Sequence, residues 1–257
     1  MIHWRHDGPT VWLHLDAPPC NEIGTAMLAA LEGFLEELPG LDARTLVLVS
    51  DVPAGFCAGA HLRELYEGMV ARPAQARDEV SDFLDRIHAV MNTLDMLPMT
   101  TVGVVHGVCF GGGFELALTC DVLIAEKSAR FAFPELRLGL IPGFGGIPRL
   151  RRDVGNALIR DLLLTGRSIN ARRAQAAGLV SQVVNREEGR RAAAALATQG
   201  ARVDADAQRT AKAFAKRLPA SELEEEKAHF LRLFENDAVR EGLRTFYESD
   251  DVRPYLA

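Results

Sequence analysis

Short apolar runs alternate with amphipathic stretches in the first part of the chain. Nearly continuous apolar runs, typical of buried strands, occupy residues 10–15, 45–50, 101–107 and 121–126. Helical spacing of apolar residues predicts helices over 22–38, over 62–96 in two pieces, and over 112–118. Residues 129–135 are expected to be extended. Strands that alternate with helices in this way predict an α/β core.

The pattern changes after residue 156, where helical composition dominates. The predicted helical stretches are 157–164, 171–177, 187–199, 205–217 and 222–247. One further strand is expected around 179–184. We therefore predict a core over residues 1–190 and a C-terminal helical region over residues 191–257. A region of this kind packs either on its own core or on a neighbouring subunit.

Composition and charge exclude several classes of protein. The chain has 257 residues, of which 48% are hydrophobic and 25% charged, which is ordinary for a globular protein. A net charge of −6 disfavours nucleic acid and anionic membranes as partners. No apolar run approaches the roughly 18 residues of a membrane span, and no signal peptide is apparent. The scattered cysteines favour reduced thiols, so a soluble cytoplasmic protein is expected.

Two loops rich in small residues follow two of the predicted strands. In residues 49–65, Gly55 and Gly59 stand among alanines, which favours either close approach of a ligand to the backbone or an ordinary tight turn. In residues 104–118, three glycines precede a helix. Unpaired N–H groups at a helix start suit an anion or a developing oxyanion, although glycine also permits close helix–sheet packing.

Two glutamates, Glu115 and Glu135, stand in apolar sequence surroundings. Burial disfavours the charged form of a carboxylate and raises its pKa, which suits a group that exchanges protons near neutral pH. Two such groups can hold a water molecule and pass protons to and from a substrate. The alternative roles are structural: Glu115 complements a helix N-terminus, and Glu135 follows a proline turn.

These stretches together resemble the enoyl-CoA hydratase/isomerase family, the crotonase superfamily. The matching motifs are FCAGAHLREL, VHGVCFGGGFELALTCDVLIAEKSARFAFPELRLGLIPGFGGIPRL and LLTGRSINARRAQAAGLVSQVV, with a helical end up to RPYLA. The resemblance implies an α/β fold with a ClpP-like crotonase spiral of ββα repeats. It also implies C-terminal helices that mediate a homotrimer, or a hexamer made of two trimers.

The resemblance also implies a substrate and residue roles. The substrate would be an acyl-CoA thioester, so coenzyme A is part of the substrate and no separate cofactor or metal is expected. By position, the backbone N–H groups of Ala58 and Gly112 would form an oxyanion hole. Glu115 would orient and deprotonate a water molecule, and Glu135 would deliver a proton to Cα.

Retention of both glutamates favours a hydratase, which adds water to a trans-2-enoyl-CoA. The alternatives are an enoyl-CoA isomerase, or a hydratase or dehydratase for a branched, cyclic or polyketide-derived acyl-CoA. A relative that binds without catalysis is disfavoured by the acidic charge balance and by the intact site residues.

Substrate contacts are expected from the first glycine-bearing loop and the helix after it, and from the second loop. The residues assigned to substrate binding are Ala60, His61, Arg63, Tyr66 and Gly111. His61 replaces the usual aspartate of the family and either changes a loop hydrogen bond or contacts substrate. Arg63 either meets a coenzyme A phosphate or is a solvated surface residue. Tyr66 and Met69 either line the acyl pocket or pack in the core.

Overall fold

Two sheets form the core of the described part of the chain, which is residues 1–249 of a computed structural model. In chain order the strands are β1 (Ile2–Asp7), β2 (Thr10–Leu15), β3 (Thr45–Ser50), β4 (Gly55–Cys57), β5 (Thr100–Val105), β6 (Val108–Phe110), β7 (Val122–Glu126), β8 (Arg130–Ala132), β9 (Ile169–Asn170) and β10 (Gln182–Val184). The larger sheet has the order β1-β2-β3-β5-β7-β10 and is parallel apart from the β1–β2 hairpin. The smaller sheet has the order β4-β6-β8-β9.

Helices follow the strands and dominate the second half of the chain. They are α1 (Thr25–Glu37), α2 (Leu62–Ala71), α3 (Ala76–Asp95), α4 (Gly112–Ala117), α5 (Gly146–Val154), α6 (Asn156–Thr165), α7 (Ala171–Ala176), α8 (Gly189–Gly200), α9 (Ala205–Ala215), α10 (Ala220–Phe234) and α11 (Asp237–Glu248). A 3-10 turn, Glu135–Leu138, follows β8. Three times a strand of the larger sheet leads into a short strand of the smaller one and then into a helical segment. The expected ββα repeat of an α/β fold is therefore confirmed.

Several elements differ from the predictions. Strand β1 was not predicted, because an edge strand exposes one side and most of its residues are polar. Helix α5 was missed because it begins in glycine and contains Pro148, which is tolerated within a first turn. The single helical stretch predicted over 222–247 is two helices, separated at Glu235 and Asn236. Residues 250–257, which include the RPYLA end of the resemblance, lie outside the described residues.

A buried charge cluster fixes α5 against α3. The Arg149 guanidinium and the Asp95 carboxylate are both fully buried and lie 3.1 Å apart, and Arg149 also donates to the Phe144 carbonyl at 3.0 Å. Arg152 and Lys216 contact the same carboxylate at 2.8 and 2.9 Å. Removal of one partner from such a buried pair typically costs about 3–5 kcal/mol. The cluster therefore holds the loop before α5 in one position.

No helix among the described residues is long and apolar enough to cross a lipid bilayer.

Candidate active site

One cavity of about 230 Å³ brings the two glycine-bearing loops together with both predicted glutamates. Its wall is formed by the loop before α2, the start of α4 and the 3-10 turn after β8, with further side chains from α2, α3 and α10. The carboxylates of Glu115 and Glu135 and the backbone of Gly111 and Gly112 all face it. The structure thus unites residues that lie far apart in sequence.

The structure corrects the prediction for Ala58. Its backbone N–H donates to the Cys20 carbonyl at 2.9 Å. An N–H group already satisfied by a buried carbonyl is not available to a substrate oxygen without breaking that bond. Ala58 lines the cavity, but it is not one of the donors of an oxyanion hole.

The N–H group of Ala60, two residues after Ala58, points in a different direction, toward Gly112. Ile23 donates to the Gly59 carbonyl at 2.8 Å and accepts from the His61 N–H at 3.0 Å, so Ala60 sits in an isolated parallel bridge. A residue whose two neighbours bond to the partner strand directs its own N–H to the opposite side. That side is occupied by Gly112, where a methyl group would lie 3.4 Å from the Ala60 nitrogen.

The N–H groups of Ala60 and Gly112 have no acceptor within residues 1–249. Gly112 opens α4, and the first N–H groups of a helix lack intrahelical partners. Gly111, with φ of +48°, makes the turn that presents this helix start, and a side chain there would collide with Glu135 Oε1. Two adjacent free donors are the arrangement that an oxyanion requires.

Glu115 is nearly inaccessible and is held by the loop before α5. Its Oε1 accepts the N–H groups of Phe144 at 2.8 Å and Gly146 at 2.7 Å. Burial raises the pKa of Glu115 to about 7, although the two N–H donors oppose this shift. The carboxylate therefore exchanges protons near neutral pH.

Glu135 begins the 3-10 turn after Pro134. The residue is half-buried, but its Oε2 has no contact with solvent and no hydrogen-bond partner among the described residues. Burial first, and the charge of Glu115 second, raise the pKa of Glu135 well above its usual range. Glu135 is therefore the more strongly protonated member of the pair.

A third buried glutamate, Glu226 on α10, was missed in the sequence. It accepts from the Gly145 N–H at 2.7 Å and from the Ile147 N–H at 2.8 Å. The N–H groups of residues 144–147 therefore alternate between Glu115 and Glu226. Burial first, and the charge of Glu115 second, raise the pKa of Glu226 well above its usual range.

A signal for Glu226 was present in the sequence. Residues 222–226 contain four glutamates, a pattern typical of a solvated helix face. Glu226, however, lies three residues after Leu223 and four before Phe230, on the buried stripe of α10. A glutamate on an apolar stripe marks a buried carboxylate that needs donors.

The predicted substrate-binding residues fall into two groups: some line the cavity, and others lie on the opposite face of α2. Ala60, Gly111 and His61 line the cavity, and His61 Nδ1 accepts the Glu64 N–H at 3.1 Å. This bond caps α2, so the loop role of His61 is observed. Leu62, Leu65 and Met69 from the same face of α2 also line the cavity.

Arg63 and Tyr66 do not line the cavity, and both make contacts with the C-terminal end of the described chain. The Arg63 guanidinium donates to the carbonyls of Tyr247 at 2.8 Å and Ser249 at 3.1 Å. The Tyr66 ring lies 5.0 Å from the Tyr247 ring. Both residues lie on the face of α2 that packs against α11, a consequence of helical periodicity that the motif alone did not resolve.

Comparison with known proteins identifies the class. The sequence model of the enoyl-CoA hydratase/isomerase family matches residues 10–253. The chain therefore belongs to this family, as the resemblance predicted.

Named relatives and solved structures agree with this assignment. The mitochondrial methylglutaconyl-CoA hydratase of Rattus norvegicus is 39% identical over 169 residues, which are 65% of this chain and 51% of that protein. The human protein of that name is matched over 41% of its length, so this chain spans about half the length of these curated relatives. The probable enoyl-CoA hydratase echA8 of Mycobacterium tuberculosis is 36% identical, over 91% of this chain and 86% of that protein.

Solved structures confirm the crotonase-type fold. The enoyl-CoA hydratase of Bacillus anthracis superposes with a TM-score of 0.76 at 28% identity and covers 96% of each chain. DspI of Pseudomonas aeruginosa gives 0.75 at 32% identity, covering 96% of this chain and 94% of that one.

Proposed function

We propose that this protein is a hydro-lyase that reversibly adds water to a trans-2-enoyl-CoA thioester and forms a 3-hydroxyacyl-CoA. The observation that supports this proposal is the meeting of two proton-exchanging carboxylates, Glu115 and Glu135, with two free N–H donors in one cavity. Coenzyme A enters as part of the substrate, and the proposed reaction uses no separate cofactor and no metal.

The first element of the mechanism is polarisation of the thioester. The carbonyl oxygen accepts hydrogen bonds from the N–H groups of Ala60 and Gly112. Negative charge that develops on this oxygen during attack is stabilised there, by about 3 kcal/mol per donor in comparable sites.

The second element is proton movement. Glu115 in its ionised form takes a proton from the water molecule that attacks C3, while Glu135 in its protonated form delivers a proton to C2. The bonds to Phe144 and Gly146 occupy Oε1 of Glu115 and leave Oε2 for the water. Each turnover leaves the proton on Glu115 and the charge on Glu135. Transfer of a proton from Glu115 back to Glu135, through solvent, restores the starting state, so the two carboxylates act as a coupled pair.

Purified protein is expected to remove the absorbance of the enoyl thioester when it is mixed with crotonyl-CoA or a longer trans-2-enoyl-CoA. Glu115→Gln and Glu135→Gln should each lower turnover by about 10²-fold or more. Glu222→Gln on the surface of α10 is the control and should retain activity. If both glutamine variants remain as active as the parent, the mechanism is wrong. Turnover of a 3-enoyl-CoA alone would instead indicate an isomerase.

The expected assembly is a homotrimer or a hexamer of two trimers. Helix α9 supports this proposal, because none of its residues is buried within one chain and Phe214 is 79% exposed. An exposed aromatic side chain of this kind is commonly covered by another subunit. Light scattering of the purified protein measures the subunit number directly, and a monomer would contradict the proposal.

A further inference from the structure

We infer that the acyl group taken by this site is apolar, a medium-length alkyl chain or an aryl group, and carries no distal carboxylate. This inference rests on the proposed hydratase function and names its substrate class. It separates this chain from the relatives named methylglutaconyl-CoA hydratase, because the methylglutaconyl group ends in a carboxylate.

Four phenylalanines form the wall of the cavity beyond Gly112. The Phe144 ring is so close to Gly112 that a methyl group there would lie 2.6 Å from it. The Phe83 ring lies 5.9 Å from the Phe144 ring, and Phe230 stacks with Phe234 at 6.5 Å. All four rings line the cavity, and Val80, Leu84 and Leu140 complete this end. The surface next to the reacting carbons is therefore apolar and aromatic.

The opposite end of the cavity is polar. There the start of α1 meets the start of α2, and Glu64 accepts the Thr25 N–H at 3.1 Å. His61 and Gly24 adjoin this contact. Because the Ala60 and Gly112 donors lie between the two ends, a bound thioester would direct its coenzyme A part to the polar end. Its acyl chain would extend to the phenylalanines.

The charged residues of the cavity wall disfavour a substrate whose acyl group carries a carboxylate. The wall carries four glutamates, which are Glu64, Glu79, Glu115 and Glu135. Within residues 1–249, Arg72 is the one lysine or arginine on this wall, and Glu79 binds its guanidinium at 2.5 and 2.9 Å. A carboxylate at the end of the acyl chain would lose its hydration and gain no unpaired cation.

The cavity is large enough for a medium-length alkyl chain or an aryl group. A dry engineered cavity of about 150 Å³ binds benzene. The cavity described here is larger, at about 230 Å³, and part of it belongs to the reacting carbons and the water. An aryl ring or an alkyl chain of several carbons beyond the double bond therefore fits the apolar end.

Binding and turnover test the inference separately. The saturated analogues octanoyl-CoA and 3-methylglutaryl-CoA cannot be hydrated, so calorimetric titration reports acyl recognition alone. We expect octanoyl-CoA to bind at least about tenfold more tightly, a difference of about 1.4 kcal/mol. Equal or tighter binding of 3-methylglutaryl-CoA would overturn the inference. Tight octanoyl-CoA binding without hydration of any enoyl-CoA would overturn the hydratase function and leave the acyl preference standing.

A second arm compares rates for trans-2-octenoyl-CoA, cinnamoyl-CoA, crotonyl-CoA and 3-methylglutaconyl-CoA. The first two should have kcat/KM values about tenfold or more above that of 3-methylglutaconyl-CoA. Phe83→Ala should reduce kcat/KM for trans-2-octenoyl-CoA about tenfold and leave crotonyl-CoA nearly unchanged, because a four-carbon chain ends before this ring. Leu164→Ala, at a residue 74% exposed, is the control. Equal losses on both substrates would contradict an acyl-binding role for Phe83.

Discussion

Glu115 and Glu135 are the same residue type in one cavity, and their surroundings determine which of them holds a proton. Two backbone N–H groups contact Glu115 and keep its pKa at about 7 despite burial. Oε2 of Glu135 has no donor among the described residues, and the nearby charge of Glu115 raises its pKa further. At neutral pH the pair therefore favours an ionised Glu115 beside a protonated Glu135, as the proposed chemistry requires.

This order of pKa values predicts a bell-shaped dependence of kcat/KM on pH. Activity should rise as the pH approaches 7, because Glu115 must lose its proton to act as a base. Activity should fall at higher pH, where Glu135 loses the proton that it delivers. Initial rates measured from pH 5 to about 10 check both limbs. A profile without an acid limb would contradict the role of Glu115.

Gly112→Ala tests the second donor of the proposed oxyanion hole. The added methyl group would lie 2.6 Å from the Phe144 ring and would push that ring or the helix start out of place. We expect kcat to fall by about 10²–10³-fold while the fold is retained. Gly33→Ala in α1 is the matched control, because nothing lies within 4 Å of its added methyl group. If both variants keep full activity, Gly112 does not bind the thioester oxygen.

The donors of the first loop show the limit of prediction from sequence at this scale. The small residues of the loop predicted an approach to the backbone, but the motif did not determine which N–H points inward. That choice depends on hydrogen bonds to Cys20 and Ile23, which are distant in sequence from Ala58 and Ala60. Local sequence cannot specify such pairing. The raised pKa values of Glu115 and Glu135 could be predicted, because their apolar neighbours are adjacent in sequence.

At the scale of elements, the N-terminus of α5 connects the proposed catalytic site to the C-terminal helix α10. Four successive N–H groups, of residues 144–147, are donated in alternation to Glu115 and Glu226. A helix N-terminus favours negative charge, so both carboxylates gain from this position. Because Glu226 belongs to α10, this helix helps to place Glu115, the base of the proposed reaction, although Glu226 itself is not among the described residues that line the cavity.

Glu226→Gln tests this positioning role. An amide offers one oxygen where the carboxylate offers two, so one N–H of the loop loses its acceptor and Glu115 loses its fixed position. We expect kcat to fall about tenfold or more, with a smaller change in KM. The alkaline limb of the pH profile should move to lower pH, because the charge of Glu226 raises the pKa of Glu135.

The control for this prediction is Glu222→Gln, which alters an exposed ion pair between the same two helices. It should leave both kcat and the pH profile unchanged. A purely structural role for Glu226 would lower the unfolding temperature but would not move the alkaline limb. That outcome would remove Glu226 from the positioning of the site.

Elements with continuous apolar runs or clear helical spacing were predictable, as the buried strands β2, β3, β5 and β7 show. Two of the elements that were not predicted, β1 and α5, owe their stability to tertiary contacts. Strand β1 depends on its pairing with β2, and α5 depends on the buried Arg149–Asp95 pair and on the glutamates at its start. Neither kind of contact leaves a periodic pattern in the local sequence.

At the scale of the whole molecule, the three buried glutamates make folding depend on pH. Burial raises the pKa values of Glu115, Glu135 and Glu226 above those of the unfolded chain. Between the unfolded and folded pKa values, the native state binds more protons than the unfolded state. Stability is therefore greatest while these groups are protonated and is lost as the pH rises through their folded pKa values.

The free energy of unfolding should accordingly decrease from pH 6.5 to pH 8, measured by urea denaturation. Below this range His14 and His88 act in the opposite direction, because burial lowers their pKa values and acid protonates them in the unfolded chain first. Above it the buried cysteines begin to contribute. Within the window the glutamates dominate, so Glu135→Gln should flatten the slope, whereas Glu222→Gln should leave it unchanged. A parent protein that becomes more stable across this window would show that the buried glutamates are already ionised at pH 6.5.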